Sequence, residues 1–213
     1  MSRFAVYLGV GFLSLAAGPV AMAADVADPV YDWSGIYAGV HAGYLWGDVD
    51  LTEDSQLVVS GETFDGFVGG PLAGVNWQHD NWVIGAEADF GWSTASGTGV
   101  VPLDSYAYDL DWNAHLRARA GFAADNILLF VAGGLALAEF HVTEVGGRPE
   151  GTTYAGFTIG GGVDYAASEN LVLRVEYLHD EFGTESYLDG KDVYTADIAT
   201  DTLRAVVSYK FQP

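Results

Sequence analysis

Apolar and polar residues alternate with a two-residue period in eight separate segments of this 213-residue chain. That period belongs to extended strands, whose successive side chains point to opposite faces. The cleanest case runs from about Trp82 to Ser93, where Trp82, Ile84, Ala86, Ala88, Phe90 and Trp92 alternate with Val83, Gly85, Glu87, Asp89 and Gly91. A hairpin follows the same rule between Tyr154 and Gly183. Phe157, Ile159, Val163 and Tyr165 oppose Thr158 and Asp164, and after a polar turn Leu171, Leu173, Val175 and Tyr177 oppose Arg174 and Glu176. The other strands are expected at about Gly35–Asp48, Phe64–Trp77, Tyr106–Phe122, Ile127–Thr143 and Asp201–Phe211.

An even number of strands, short connections after the second, fourth and sixth, and long acidic connections after the others predict an all-β fold. The expected fold is an eight-stranded antiparallel up-and-down transmembrane β-barrel. Two details are less regular. Pro71 cannot donate to a ladder, which predicts a bulge near Gly69 to Pro71. The fifth strand begins apolar on both faces, so its phase rests on Glu139 and His141, read with His41 and His115 as inward polar residues.

The tryptophans decide which face meets lipid. Trp33, Trp46, Trp77, Trp82, Trp92 and Trp112 fall at or just beyond strand ends on the apolar face, with Tyr44, Phe90, Phe122, Tyr165, Tyr177, Tyr209 and Phe211. A soluble core would concentrate such rings at mid-strand, whereas girdles of aromatic residues mark membrane interfaces. The opposite face becomes the lumen. Its expected charge network is Glu87, Asp89, Arg117, Arg119, Asp164, Arg174, Glu176, Arg204 and Lys210. On the lipid side an Arg or Lys would cost roughly 2–4 kcal/mol at the midplane.

The N-terminus carries Arg3, an apolar run from Phe4 to Leu15 and the small-x-small pattern Ala21-Met22-Ala23, so residues 1–23 are read as a secretory signal peptide. Residues 24–34 are then an N-terminal periplasmic segment and 35–213 the barrel. The chain has no cysteine, and its formal net charge of −21 argues against nucleic acid as a partner. Gly160-Gly161-Gly162 lies inside a strand with no helix after it, which argues against a phosphate loop. The run from Asp48 to Asp54 lacks the glycine and glutamate of a calcium loop. No serine stands near His179 to serve as a nucleophile. Catalytic, cofactor and metal residues are accordingly expected to be none.

Several stretches resemble the small OmpA-like outer-membrane β-barrel family, in particular the porin-like surface antigens of alphaproteobacteria. They are DWSGIYAGVHAGYLWG at the first strand, NWVIGAEADFGWS at the third, LLFVAGGLALAEF at the fifth, the Tyr154–Gly183 hairpin and the closing DTLRAVVSYKF. The resemblance implies antigenic or adhesive roles, envelope integrity, and a terminal aromatic strand read by the outer-membrane assembly machinery. Here Gln212 and Pro213 follow Phe211.

The expected function is a non-enzymatic outer-membrane barrel with a structural, cell-surface role. Ion pairs plug its lumen, lipid and lipopolysaccharide surround it, and acidic extracellular loops face possible ligands. The alternatives are a narrow porin for small solutes or ions, and a loop-borne haem or cation site around Asp180 to Asp192.

Overall fold

The structure, a computed structural model, describes residues 31–53, 56–101, 104–144, 150–189 and 192–211. Eight strands follow one another: β1 (Gly35–Glu53), β2 (Gln56–His79), β3 (Trp82–Val101), β4 (Asp104–Ala124), β5 (Ile127–Glu144), β6 (Glu150–Ala166), β7 (Leu171–Asp189) and β8 (Asp192–Lys210). Each pairs antiparallel with its neighbour, and β8 returns to β1 to close the barrel. Closure leaves no open edge, which satisfies the backbone where no water can. The signal peptide expected at 1–23, most of the segment 24–34, and Gln212-Pro213 lie outside the described residues.

Three turns sit at one end with the start of β1 and the end of β8. Asp80 and Asp125 take left-handed backbone angles (φ 53° and 52°) in two of them, a conformation that Asp tolerates better than most residues. Each turn then donates or accepts sideways. Ala123 N–H donates to Asn81 O at 2.7 Å, Ala166 N–H to Asn126 O at 2.8 Å, and Asn170 Nδ2 to Lys210 O at 2.8 Å, so the turns form a connected rim.

At the other end the strands run on well past the segments expected from the alternation. Among the described residues the long acidic connections are strand: Asp48 to Glu53 belong to β1, and β7 continues from His179 to Asp189. The described parts of the loops expected there are corrected to strand extensions, because backbone pairing continues after the apolar signal fades.

The predicted bulge at Gly69–Pro71 is also absent. The β2–β3 register is the same on both sides of it (Gly69 opposite Trp92, Leu72 opposite Asp89), and between these two pairs Gly70 and Pro71 have no partner on β3. A proline removes one donor without requiring an extra residue. The irregularities fall elsewhere, with Ser93 and Thr94 set against Asp111, and Asp111 unmatched on β5.

The phase of β5 is the reverse of the expected one. Leu128, Phe130, Ala132, Ala136, Ala138 and Phe140 are buried, whereas Leu129, Val131, Leu135 and Leu137 are exposed on the outer face. Glu139 and His141 therefore face outward. They lie beyond the apolar band, where charge outside is tolerated.

The outer face carries Ile84, Leu116, Val131, Leu135, Ile159, Val175, Leu203 and Val207, all exposed. Trp82 and Trp92 bracket this band on β3. Ten residues at about 3.3 Å each, tilted by about 40°, span about 25 Å, the height of an outer-membrane apolar band. The lumen is solid. An apolar layer at the turn end (Trp33, Val83, Leu128, Val172) and another at the far end (Leu45, Phe64, Leu110, Phe140, Phe182) enclose a charged middle layer.

Gly133 and Gly134 test the close approach of β4 and β5. A Cβ on Gly134 would stand 2.0 Å from Leu116 O, whereas one on Gly133 would meet only Thr158 O at 3.4 Å. Gly134→Ala is expected to destabilise the barrel by about 1–3 kcal/mol, and Gly133→Ala to be neutral or stabilising by up to about 1 kcal/mol. Urea unfolding in lipid vesicles reads both.

Candidate functional site

The charged layer begins with strand register. Glu87 stands opposite Arg117, Asp89 opposite His115, Asp164 opposite Arg174, and Glu176 opposite Arg204. Each side chain is inward and almost fully buried. Cross-strand pairs of opposite charge are favourable by themselves, but here the guanidinium groups also reach across the lumen. Arg117 donates to Glu176 at 2.7 Å, Asp89 at 3.0 Å and Glu87 at 2.5 Å. Arg174 donates from Nε to Asp164 at 2.6 Å and from Nη1 to Glu87 at 2.8 Å. Arg204 joins Glu176 at 2.9 Å and Asp89 at 3.0 Å, and Arg119 joins Asp164 at 2.6 Å.

The guanidinium planes are also packed. Phe130, inward on β5, lies under Arg119 at 4.1 Å and Arg174 at 4.9 Å from its ring centroid. Such contacts favour desolvated cations. Tyr37 donates to Glu87 at 2.6 Å and accepts from Arg119 at 3.1 Å. A cavity of about 10 Å³ lies between Arg119, Asp164 and Arg174 on one side and Trp33, Val172 and Lys210 on the other. It has room for about one water.

Three members of this layer escaped sequence reasoning as partners: Tyr37, His115 and Asp180. His115 holds Asp89 at 2.7 Å through Nδ1 and Asp180 at 3.1 Å through Nε2. Carboxylates at both ring nitrogens call for both to be donors, the imidazolium form. Asp180 also accepts from Thr200 at 3.2 Å. Parity could have found it, since it continues the inward series of Arg174, Glu176 and Leu178.

Two expected residues belong elsewhere. Lys210, assigned to the charge network, donates to Asp32 O and sits 4.4 Å over the Tyr31 ring. As the last residue of β8 it reaches the mouth and not the carboxylates. Trp33, assigned to a girdle, is 2% exposed and packs edge-on to Tyr31 at 4.7 Å inside the turn-end mouth. It precedes β1, so strand parity never applied to it. Tyr31 donates to Glu169 O at 3.2 Å, and burial, then Asp32 and Asp164, push its phenol up to about 12.

The remaining girdle residues are outward. Trp77, Trp82, Phe122, Tyr165, Tyr209 and Phe211 ring the turn end. Tyr44, Trp46, Trp92 and Tyr177 ring the far end with Phe90 and Trp112, which are half-buried because they stack at 5.6 Å. The polar tips at the far end meet outward carboxylates: Tyr44 with Asp65, Trp112 with Glu139, and Tyr177 with Asp201 at 2.5 Å.

The histidines divide. His41 is inward, with Nε2 3.1 Å from Phe90 O, while His141 is outward and 3.2 Å from Asp111. His179 pairs outside with Asp201 at 2.8 Å, so it and buried Asp180 lie on opposite faces and cannot share an ion. Among the described residues no His, Asp and Glu group is arranged to hold a metal.

Residues 9–211 match the model of the outer membrane protein beta-barrel domain family. The chain belongs to this family. It is 34% identical to the 31 kDa outer-membrane immunogenic protein of Brucella melitensis biotype 1, over 90% of this chain and 93% of that protein. It is 28% identical to the 25 kDa outer-membrane immunogenic protein of Brucella abortus biovar 1, over 91% and 85%. Against the 22 kDa outer membrane protein of Rhizobium leguminosarum bv. viciae the figure is 31%, over 75% and 69%. Among solved structures, Neisserial surface protein A is similar at a TM-score of 0.49 and 18% identity, covering 84% of this chain and 98% of that one. The protein is thus an outer-membrane β-barrel of the surface-antigen kind found in alphaproteobacteria.

Arg117 touches three carboxylates, so removing it leaves buried anions undercompensated. Arg117→Met is expected to destabilise the barrel by about 3–5 kcal/mol, measured by urea unfolding in vesicles. Trp77→Leu, on the outer face, is expected to cost far less.

Proposed function

We propose that the protein is a non-enzymatic, closed barrel that serves the outer membrane as a structural and surface-displayed element and not as a channel. The observation that carries this reading is the lumen: Arg117, Arg119, Arg174 and Arg204 bind carboxylates from opposite walls, between two apolar layers. An eight-stranded interior is about wide enough for its own side chains, and the 10 Å³ cavity beside the network favours a plug over a narrow porin. Paired buried charges also cost less than free ones would, which suits a filled core.

The short turns, with the start of β1 and the end of β8, are assigned to the periplasm, and the extended far ends of the strands to the cell surface, as the asymmetry of such barrels suggests. The immunogenic relatives support surface display. In this reading the acidic strand extensions belong to the surface offered to an extracellular partner.

Reconstitution into a planar bilayer is expected to give no steady unit conductance. A stable conductance that changes when Arg117 and Arg119 are neutralised would overturn the plugged barrel. Orientation is tested separately, since the chain has no native cysteine. A membrane-impermeant maleimide is expected to label Thr98→Cys in intact cells and to leave Ala167→Cys unlabelled until the outer membrane is opened.

A further inference from the structure

The outer face of β3 to β6 carries three features in vertical succession. At mid-height lies an apolar groove of about 410 Å³, floored by Ala88, Ala114 and Ala155 and walled by Leu116, Leu135 and Leu137. Each alanine stands beside larger residues in the register (Ala88 beside Leu116, Ala114 and Ala155 on either side of Leu137), and the steps between them leave a hollow that a hydrocarbon chain fills. Immediately above, Phe90 stacks on Trp112 at 5.6 Å and meets Trp92 at 5.0 Å, and Trp92 is 63% exposed.

Above the rings an open polar groove of about 520 Å³ is lined by Ser93, Thr94, Ser96, Asp109, Asp111 and His141. It exists because Ser93 and Thr94 bulge against Asp111, which has no partner on β5. The extra residue reverses the phase of β4, so Leu110 points inward and Asp109 and Asp111 both point out. The bulge is held by side chains: Thr94 Oγ1 accepts from Phe67 N–H at 3.1 Å, and Ser93 Oγ accepts from Ala95 N–H at 3.0 Å.

Register aligns the three features. Ala88 pairs with Leu116, Phe90 with Ala114, Trp92 with Trp112, and Ser96 with Asp109, which in turn pairs with His141. From Ala88 to Ser96 the strand climbs about 20 Å at about 3.3 Å per residue and about 40° tilt. That is the scale of an acyl chain with its head group.

We propose that this strip is a binding site for one membrane lipid with an uncharged glycosyl head group. The acyl chain lies in the alanine groove. One face of the sugar stacks on Trp92, and its hydroxyls donate to Asp109 and Asp111. Two carboxylates against the single His141 make the head-group pocket net acidic, which disfavours phosphate and favours hydroxyl donors. The proposed orientation enters only in naming the leaflet: with the far end outside, the lipid comes from the outer leaflet.

The test uses the folded protein in lipid discs that hold phosphatidylglycerol and a monoglucosyl diacylglycerol with the same chains, in equal amounts in both leaflets. The outcome is therefore independent of orientation in cells and of conductance. Native mass spectrometry counts the lipid retained on release. The expected result is one glucosyl lipid per barrel, enriched about tenfold over phosphatidylglycerol, as one or two charge-assisted hydrogen bonds supply. Asp109→Ala with Asp111→Ala is expected to remove the preference, and Ala114→Phe, which fills the groove, to remove retention of both lipids. The heat-dependent gel shift verifies that each variant is folded. Equal retention of the two lipids by the unaltered protein, or a preference that survives the loss of both carboxylates in a folded barrel, would overturn the site.

Discussion

Guanidinium groups that bridge opposite walls of the lumen are the interaction on which the rest of this barrel depends. Arg117 and Arg174 each bind carboxylates on non-adjacent strands, so they fix the distance across the barrel as well as along its circumference. Charges this deeply buried are tolerable only when every one is matched. The set of Glu87, Asp89, Asp164 and Glu176 meets four arginines, and Asp180 meets His115. The layer is therefore all-or-none in character, since loss of one member exposes several others to an uncompensated field.

The apolar exterior follows from the same arrangement. With charge collected inside, period-two alternation leaves the outer face free to be hydrocarbon, and the strands can present Ala, Leu, Ile and Val to lipid. Backbone pairing closes around the ring, so the sheet presents no open edge to the bilayer. Aromatic residues at both rims have one apolar face and one polar tip. At the far rim those tips find Asp65, Glu139 and Asp201, carboxylates on the outside of the barrel just beyond the apolar band.

Local departures from regular pairing change what a wall can do. The Ser93-Thr94 bulge against Asp111 reverses β4 above the membrane and turns acidic groups outward next to exposed tryptophan. Pro71, which looks like the more obvious disruption, changes nothing in register. A missing donor weakens a ladder, whereas an extra residue redirects every side chain beyond it. For that reason the bulge, and not the proline, marks the place where the wall acquires a recognisable pocket.

The sequence by itself determined the eight strands, their antiparallel order, the three tight turns and the inward face of every strand but β5. Alternation carries that much because a charged residue every second position can only be placed on one side. It could not set the phase of β5, where both faces are apolar, and it misread Glu139 and His141 as inward because position along the barrel axis, and not side, makes charge tolerable there. Trp33 and Lys210 lie at the mouth, where parity ceases to hold. Tertiary structure alone decided which inward groups meet across the lumen. Partners such as Arg117 and Glu176, or Arg174 and Glu87, are far apart in sequence, and barrel closure with its strand stagger brings them to one level. The same holds for the outer strip on β3 to β6, whose apolar groove and polar pocket come from strands aligned by register.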